Sequence, residues 1–287
     1  MPELPEVETV ARCLRATVVG ARIGRIVYAS RRVAAVCPPR WRADVRGRVI
    51  RGVSRRGKYL IFALTGDRHL VLHLRMTGRL RLAEPQVRWG SHDRLILALS
   101  GGRLPGPRQL VLVDTRQFAR IMWWNQGPPL AQPPLSRLGP EATDLTDAIL
   151  REIVSCSRRS VKSLLLDQTR IAGLGNIYVD ESLHLACIHP AAISSSLSRQ
   201  RVHRLRGAID GILRAAIAAR GTTFDTFSDL SGRGGGFAPR LAVYGRSGQS
   251  CHRCGKSIQR ITLGGRGTFF CRRCQRPPRS ATSSMTC

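Results

Sequence analysis

After Pro5 the apolar residues Val7, Val10, Ala11, Leu14 and Val18 recur at helical spacing. Proline suits the first helical turn, and Glu6 and Glu8 complement the positive end of the helix dipole. Gly20 closes this element. From residue 21 to 125 the pattern changes to short β-rich runs: KYLIFAL (58–64), HLVLHLR (69–75), RLILAL (94–99), QLVLVD (109–114) and ARIMWW (119–124). Turn signals such as TGDR and GGRLPGPR separate them. The pattern predicts an antiparallel sandwich preceded by a helix. A proline-rich stretch, GPPLAQPPLSRLGP (127–140), reads as a linker. Residues 144–220 read as helical. The clearest helix starts at Ser198 as N-cap, carries Val202, Leu205, Ile209, Ile212, Leu213 and Ala216 on one stripe, and stops at Gly221. The glycine-rich stretch 222–245 reads as a mobile loop. The expected segments are therefore 1–126, a linker at 127–143, 144–245, 246–276, and a disordered tail at 277–287.

Composition narrows the partner. The chain has 287 residues, 47 Lys or Arg, 18 Asp or Glu, and a formal charge of +29. Such a balance excludes a metabolic enzyme of neutral surface and favours a polyanion, above all nucleic acid. The hydrophobic fraction of 43% supports packed cores rather than wholesale disorder. No apolar run approaches the roughly 18 residues that span a bilayer. The opening MPELPEVETV is acidic and has no basic n-region, so no signal peptide is expected and the reading is cytoplasmic. Only Lys58, Lys162 and Lys256 are lysines. A nucleotide-composition bias explains the general excess of Arg. It also makes the few lysines informative, because Lys can release a proton and Arg cannot.

Nine cysteines is an odd count, and four form two close pairs. Cys251-x2-Cys254 and Cys271-x2-Cys274 are sixteen residues apart, which fits a four-thiolate structural zinc site. One structural zinc ion is expected. The sequence between the pairs breaks at Gly-Gly-Arg-Gly and predicts a β-hairpin with Arg266 at its tip. Cys13, Cys37, Cys156 and Cys187 read as buried small apolar residues.

Pro2 offers a different chemistry. Removal of Met1 would leave a secondary amine outside any peptide bond. A free α-amine titrates at about 7.7 to 8, so a usable fraction is unprotonated near neutrality. Attack on an aldehydic carbon gives an iminium directly. Glu3 and Glu6 lie within reach as proton-transfer groups. By itself a Met-Pro start is common and usually structural.

MPELPEVETV, RRGKYL around Lys58, HLRMTGRL at 73–80, DQTRIAGLGNIYVDESLHLACIHP at 167–190 and the four-Cys hairpin with GRGTFFCRRCQ occur in that order. This combination resembles the formamidopyrimidine-DNA glycosylase family, bacterial enzymes that excise oxidised purines and nick the DNA. The resemblance covers essentially the whole chain. It implies an α+β multidomain fold: an N-terminal antiparallel β-sandwich with helices, a helix–two-turn–helix DNA-binding domain, and a C-terminal zinc β-hairpin. It implies a monomer acting on double-stranded DNA that contains oxidised bases, with no membrane partner.

The resemblance also implies roles. Pro2 would be the nucleophile at the sugar C1′, Glu3 would assist base release and protonate the opened sugar, and Glu6 would support the network. Lys58 matches the family's loop lysine, near the lesion, and would assist the lyase steps. Arg266 matches the hairpin arginine that grips the flanking phosphates. Met76 and Phe118 match the apolar wedge that fills the space left by an extruded nucleotide. Arg116 matches the group facing the orphaned base, and His92 a DNA-backbone contact. Asn176 opens a helix after GLGN, where exposed N–H groups favour phosphate. Lys162 and Arg158 would aim at the same phosphates, and Glu181 would be structural. Where the family often has Pro-Arg-Arg-Phe-Gly, this chain has Thr115-Arg116-Gln117-Phe118-Ala119. The glycine-rich 231–237 loop lies where the family's lesion-contacting loop should be. Two alternatives stand beside the oxidised-purine reading: the sister class acting on oxidised pyrimidines, against which Met76, Arg116 and Phe118 argue, and a non-catalytic zinc DNA-binding protein.

Overall fold

The computed structural model describes residues 2–125, 127–224 and 227–276. The expected tail at 277–287 lies outside the described residues, as does Met1. The chain divides into two compact units. The first comprises Met1–Leu138 and Ala215–Pro239, the second Gly139–Arg214 and Arg240–Cys287. The 144–245 segment, read from the sequence as one piece, therefore contributes to both.

The first unit opens with α1 (Leu4–Thr17), whose Leu4, Val7, Val10, Ala11 and Leu14 are buried. Then come β1 (Arg22–Ala29), the short helix α2 (Trp41–Val45), β2 (Ile50–Arg56), β3 (Tyr59–Leu64), β4 (Arg68–His73), β5 (Arg79–Ala83), β6 (Asp93–Ser100), β7 (Arg108–Val113) and β8 (Arg120–Trp124). Two four-stranded sheets form, in the orders β1-β6-β7-β5 and β2-β3-β4-β8. Every pairing within them is antiparallel.

Alternation decides which side chains meet. Leu60, Phe62 and Leu64 of β3 share one core cluster with Leu95, Leu97 and Leu99 of β6 and with Val7, Val10 and Leu14 of α1. The intervening Ile61 points the other way, into a second cluster with Val71, Met122, Trp124 and Leu135. The strands read as near-continuous apolar runs because both faces are covered. Leu135 comes from the proline-rich stretch expected as a linker, where it is buried in a 3-10 turn at Leu135–Arg137. That segment caps the outer face of the second sheet.

The second unit contains α3 (Asp147–Ser155), α4 (Val161–Leu165) and α5 (Asn176–Leu185), and the first part of α6 (Arg199–Ala218). Thr146 caps α3 and Ser160 caps α4, each accepting a backbone N–H on its hydroxyl. Strands β9 (Gln259–Leu263) and β10 (Arg266–Phe270) form the antiparallel hairpin, with Arg266 opposite Leu263. Gly264 and Gly265 both have positive φ, at 56° and 71°, as a two-residue hairpin turn of this kind requires. Arg266 is thus the first residue after the turn. Among the described residues no helix is long and apolar enough to cross a membrane.

Two of the four cysteines expected as buried are not. Cys156 is exposed at the end of α3, where the helix carbonyls meet solvent, and Cys187 is exposed in a left-handed turn after α5. Cys187 Sγ instead accepts a hydrogen bond from Arg253 at 2.6 Å. Cys13 and Cys37 are half-buried.

Candidate functional site

Pro2 is buried at the head of α1. Glu3 is the N-cap and forms a capping box with Glu6. The Glu3 N–H donates to Glu6 Oε2 at 2.8 Å. The other Glu6 oxygen, Oε1, accepts the Thr222 N–H at 2.7 Å. Both carboxylates are 1% exposed. Two buried acids thus lie one and four positions after the residue that would carry the free imino nitrogen. The second tie, to Thr222 just beyond α6, is not visible in the local sequence.

Lys58 sits in the β2–β3 turn and is also buried. Arg55 fixes that turn, donating to the Gly57 carbonyl at 2.9 Å and to Glu8 Oε2 at 3.1 Å. Glu8 belongs to α1, so the lysine turn is tied to the helix that starts at the acid pair. Across the sheet Tyr59 pairs with His73, and the two rings meet edge-on at 4.5 Å. The His73 Nδ1 accepts the Arg75 N–H at 2.9 Å. Burial, with Arg75 and Lys58 adding to it, pushes the imidazole down to about 3, so it is neutral at working pH. In the sequence His73 stands out only as the first residue of HLRMTGRL. Its signal was a polar residue ending an apolar strand.

Met76 and Phe118 are exposed apolar side chains on separate turns, 39% and 40% accessible. The Arg116 guanidinium lies 5.5 Å from the Phe118 ring centroid. One buried residue that sequence reading passed over organises both turns. Asp114 accepts from the Thr77 hydroxyl beside Met76, from the Arg116 N–H at 3.3 Å and from the Ala119 N–H at 2.8 Å. Its own N–H donates to the carbonyl of exposed His92 at 2.9 Å. Four expected DNA-contacting groups thus hang on one side chain and its backbone.

The remaining candidates belong to the second unit. Arg158 is exposed between α3 and α4, and Arg266 is exposed at the start of β10. Asn176 is the first residue of α5, and its amide donates to the Gly267 carbonyl at 2.8 Å. Lys162 departs from expectation. Rather than facing phosphates it is 1% exposed, with its ammonium 2.6 Å from Asp180 Oδ1 and 3.1 Å from the Gly267 carbonyl. Asp180 Oδ2 accepts the Phe269 N–H at 2.9 Å. Lys162, Asp180 and Asn176 therefore fasten β10 to α4 and α5. Burial pushes the Asp180 carboxyl up, against the pull of the Lys162 ammonium. Glu181 is structural as expected: its carboxylate accepts the N–H groups of Ala242, Val243 and Tyr244 at 2.8 to 2.9 Å.

The sulfurs of Cys251, Cys254, Cys271 and Cys274 all lie within 4.8 Å of one another. Cys254 and Cys271 are 3.4 Å apart, Cys251 and Cys274 3.9 Å. Thiolates about 2.3 Å from a tetrahedral zinc ion sit about 3.8 Å apart, so the set fits one structural zinc ion and leaves no open position. His184 of α5 brings its Nε2 to 3.5 Å from Cys251 Sγ, as a second layer behind the ligands.

Comparisons with known proteins agree with this geometry. Residues 1–121 match the formamidopyrimidine-DNA glycosylase N-terminal domain, 138–228 the H2TH domain of the same glycosylase, and 248–277 a zinc finger found in FPG and IleRS. The formamidopyrimidine-DNA glycosylase of Symbiobacterium thermophilum is 40% identical over 99% of this chain and 92% of its own. That of Moorella thermoacetica is 44% identical over 91% of this chain and 94% of its own. Among solved structures, the Lactococcus lactis Fpg bound to DNA containing an abasic site matches with a TM-score of 0.88 and 38% identity. It covers 96% of this chain and all of that one. The wild-type Lactococcus lactis Fpg with DNA containing N7-benzyl-Fapy-dG matches with a TM-score of 0.87 at the same identity and coverage. With the buried acid pair at the head of α1, the Met76 and Phe118 turns held by Asp114 and the four-thiolate hairpin all in one chain that aligns over nearly its whole length with these enzymes, it belongs to the formamidopyrimidine-DNA glycosylase family.

Proposed function

We propose that the chain is a bifunctional base-excision-repair enzyme, a DNA glycosylase and abasic-site lyase that removes oxidised purines such as 8-oxoguanine and formamidopyrimidines. The observation that carries this is the pair of carboxylates, Glu3 and Glu6, buried together behind Pro2. A buried acid pair is expensive unless its neighbours hold it, and here the neighbours include backbone N–H groups at both ends. Such an arrangement is poised for proton transfer at the imino nitrogen and at the atoms bonded to it.

The chemistry runs in balanced steps. Met1 is removed and the unprotonated Pro2 nitrogen forms a bond to C1′ of the extruded nucleotide. The C1′–N bond to the base breaks, and the base leaves with that electron pair and a proton. The C1′–O4′ bond then opens, O4′ takes a proton from Glu3, and Pro2 and C1′ share an iminium. Loss of a C2′ proton expels the 3′ phosphate by β-elimination, and a second elimination expels the 5′ phosphate. Hydrolysis of the iminium frees Pro2. Glu6 holds the Glu3 backbone, and Lys58, in its tethered turn, assists proton transfer in the lyase steps. Met76 and Phe118 fill the space vacated by the base, while Arg116 meets the base left behind. The cost of extrusion is roughly a few kcal/mol, which such wedges offset. His92, Arg158, Asn176 and Arg266 grip the backbone. Cys251, Cys254, Cys271 and Cys274 would hold one zinc ion, which would keep the Arg266 hairpin rigid. A chromosomal DNA substrate means work in the bacterial cytoplasm.

Borohydride reduction in the presence of an 8-oxoguanine duplex tests this reading. A covalent adduct whose mass maps to residue 2 is expected, and Pro2→Gly should lose most strand cutting. No adduct from protein shown to lack Met1 would favour a binding-only protein. Preferential cutting of thymine glycol would favour the pyrimidine class.

A further inference from the structure

The segment after α6 is rich in glycine, yet it is closely tied. Asp229 is buried, 1% exposed, in a stretch whose neighbours Ser231, Gly232, Arg233 and Gly234 are exposed. Its Oδ1 accepts the Ser231 N–H at 2.9 Å, the Ser231 hydroxyl at 2.7 Å and the Arg233 N–H at 3.1 Å. Its Oδ2 accepts from the Arg220 guanidinium, which stands at the end of α6. The main chain closes the same turn: the Asp229 N–H donates to the Arg233 carbonyl at 2.9 Å, and the Gly232 N–H to the Asp229 carbonyl at 3.1 Å.

A second knot lies below the first. The Thr223 hydroxyl donates to the Phe227 carbonyl at 3.0 Å and accepts the Gly235 N–H at 2.8 Å. The Gly236 N–H reaches the Ala219 carbonyl and the Phe237 N–H the Gly221 carbonyl. A Cβ at Gly235 would sit 2.2 Å from the Gly221 oxygen, so the two limbs of the loop cross where only glycine fits. Phe227 and Leu230 drop into the sandwich core.

The root of this loop is one side chain away from the reacting end of the chain. Glu6 accepts Thr222 with one oxygen and Glu3 with the other. We infer that Asp229 is a positioning residue for base release: by holding the 229–233 turn against Arg220, it sets the wall against which a base bonded to the sugar at Pro2 must lie. This rests on the glycosylase reading above. A burial-neutral loop would need no charged hub. A carboxylate removed from water is tolerated only because each of its oxygens is met by donors, so the loop cannot relax without exposing or orphaning it. Rigidity matters while the base is present. Once the base has gone, the lyase steps involve only the sugar and the phosphates.

The inference makes a split prediction. Asp229→Ala and the isosteric Asp229→Asn are compared with wild type in single-turnover assays on an 8-oxoguanine duplex and on a duplex with a preformed abasic site. Base release should fall roughly tenfold or more in Asp229→Ala, as expected for displaced positioning groups. Cleavage of the abasic duplex should stay within about twofold, since no interaction of the sugar-cutting transition state is touched. Asp229→Asn should fall between, and it decides the matter if the alanine variant does not fold. Amide exchange gives a readout independent of activity: the Ser231, Arg233 and Gly235 N–H groups should be protected in wild type and released in Asp229→Asn. Equal losses on both substrates, no loss on either, or unprotected amides in wild type would overturn the inference. A wild-type protein that cuts neither substrate yet protects these amides would instead overturn the glycosylase reading beneath it.

Discussion

The Lys162 ammonium and the Asp180 carboxylate meet at 2.6 Å with neither side chain more than 1% exposed. The pair also holds β10, through the Gly267 carbonyl and the Phe269 N–H. Lys162→Met leaves a buried carboxylate with no countercharge and should cost about 3–5 kcal/mol of stability. Adding Asp180→Leu should return much of that loss. Urea midpoints of the single and double variants measure both effects. A single variant within about 1 kcal/mol of wild type would show the pair to be as weak as an exposed one.

Asp114→Asn keeps the shape of the hub but turns one acceptor into a donor facing Thr77 or Ala119. Each buried donor left unmatched costs about 1–3 kcal/mol. The turns carrying Met76 and Phe118 should loosen together. Affinity for lesion-containing duplex should fall while affinity for undamaged duplex, set by phosphate charge, changes little. Parallel losses on both duplexes would contradict a role specific to the wedge.

His73 gives the protein an acid-side weakness whose sign can be worked out. Above its ordinary value of 6.5 the imidazole is neutral in both folded and unfolded chains and contributes nothing to pH dependence. Below 6.5 the unfolded chain binds a proton that the folded chain refuses until about pH 3. Stability therefore falls as pH drops through that window, by at most about 1.4 kcal/mol per pH unit. His73→Asn, which can still accept the Arg75 N–H, should flatten this part of the curve. Urea titrations at pH 7, 6 and 5 would detect it, and an unchanged slope would mean His73 is solvated.

Stripping the zinc should unfold the hairpin and with it the setting of Arg266. Limited proteolysis with and without a chelator should reveal new cuts within residues 251–274 of the stripped protein. His184→Phe removes the ring nitrogen that backs Cys251 and should weaken zinc retention roughly tenfold or more, as the loss of an outer-layer partner commonly does. Zinc release timed with a colorimetric chelator is the direct measure.

Elements with a strong local signature were legible. The helix α6 announced itself by its stripe and by Ser198 and Gly221, and β3, β4, β6, β7 and β8 by their apolar runs. The strands RIGRIVYA, IRGVSRR and RLRLA were covered only by a general reading of 21–125 as strand-rich, because Arg fills their outward positions. Helix α2, only five residues long, gave no period to read. The zinc ligands were readable because their chemistry fixes their spacing. Lys162 was misread because its partner lies 18 positions away and only the packing of α4 on α5 makes them neighbours. Asp114 was passed over for a similar reason: Thr77 is 37 positions from it. The glycines at 231–236 suggested freedom, but the buried Asp229 among them takes it away.

Glu6 and the amide it holds at Thr222 are separated by 216 positions in the sequence. A growing polypeptide leaves the ribosome from its first residue onward, so the opening helix emerges long before that amide exists. Until then Glu6 lacks the hydrogen bond from Thr222, one of the contacts that fix it in the finished protein. The helix that opens the chain is made first, and its tie to Thr222 is completed late in synthesis.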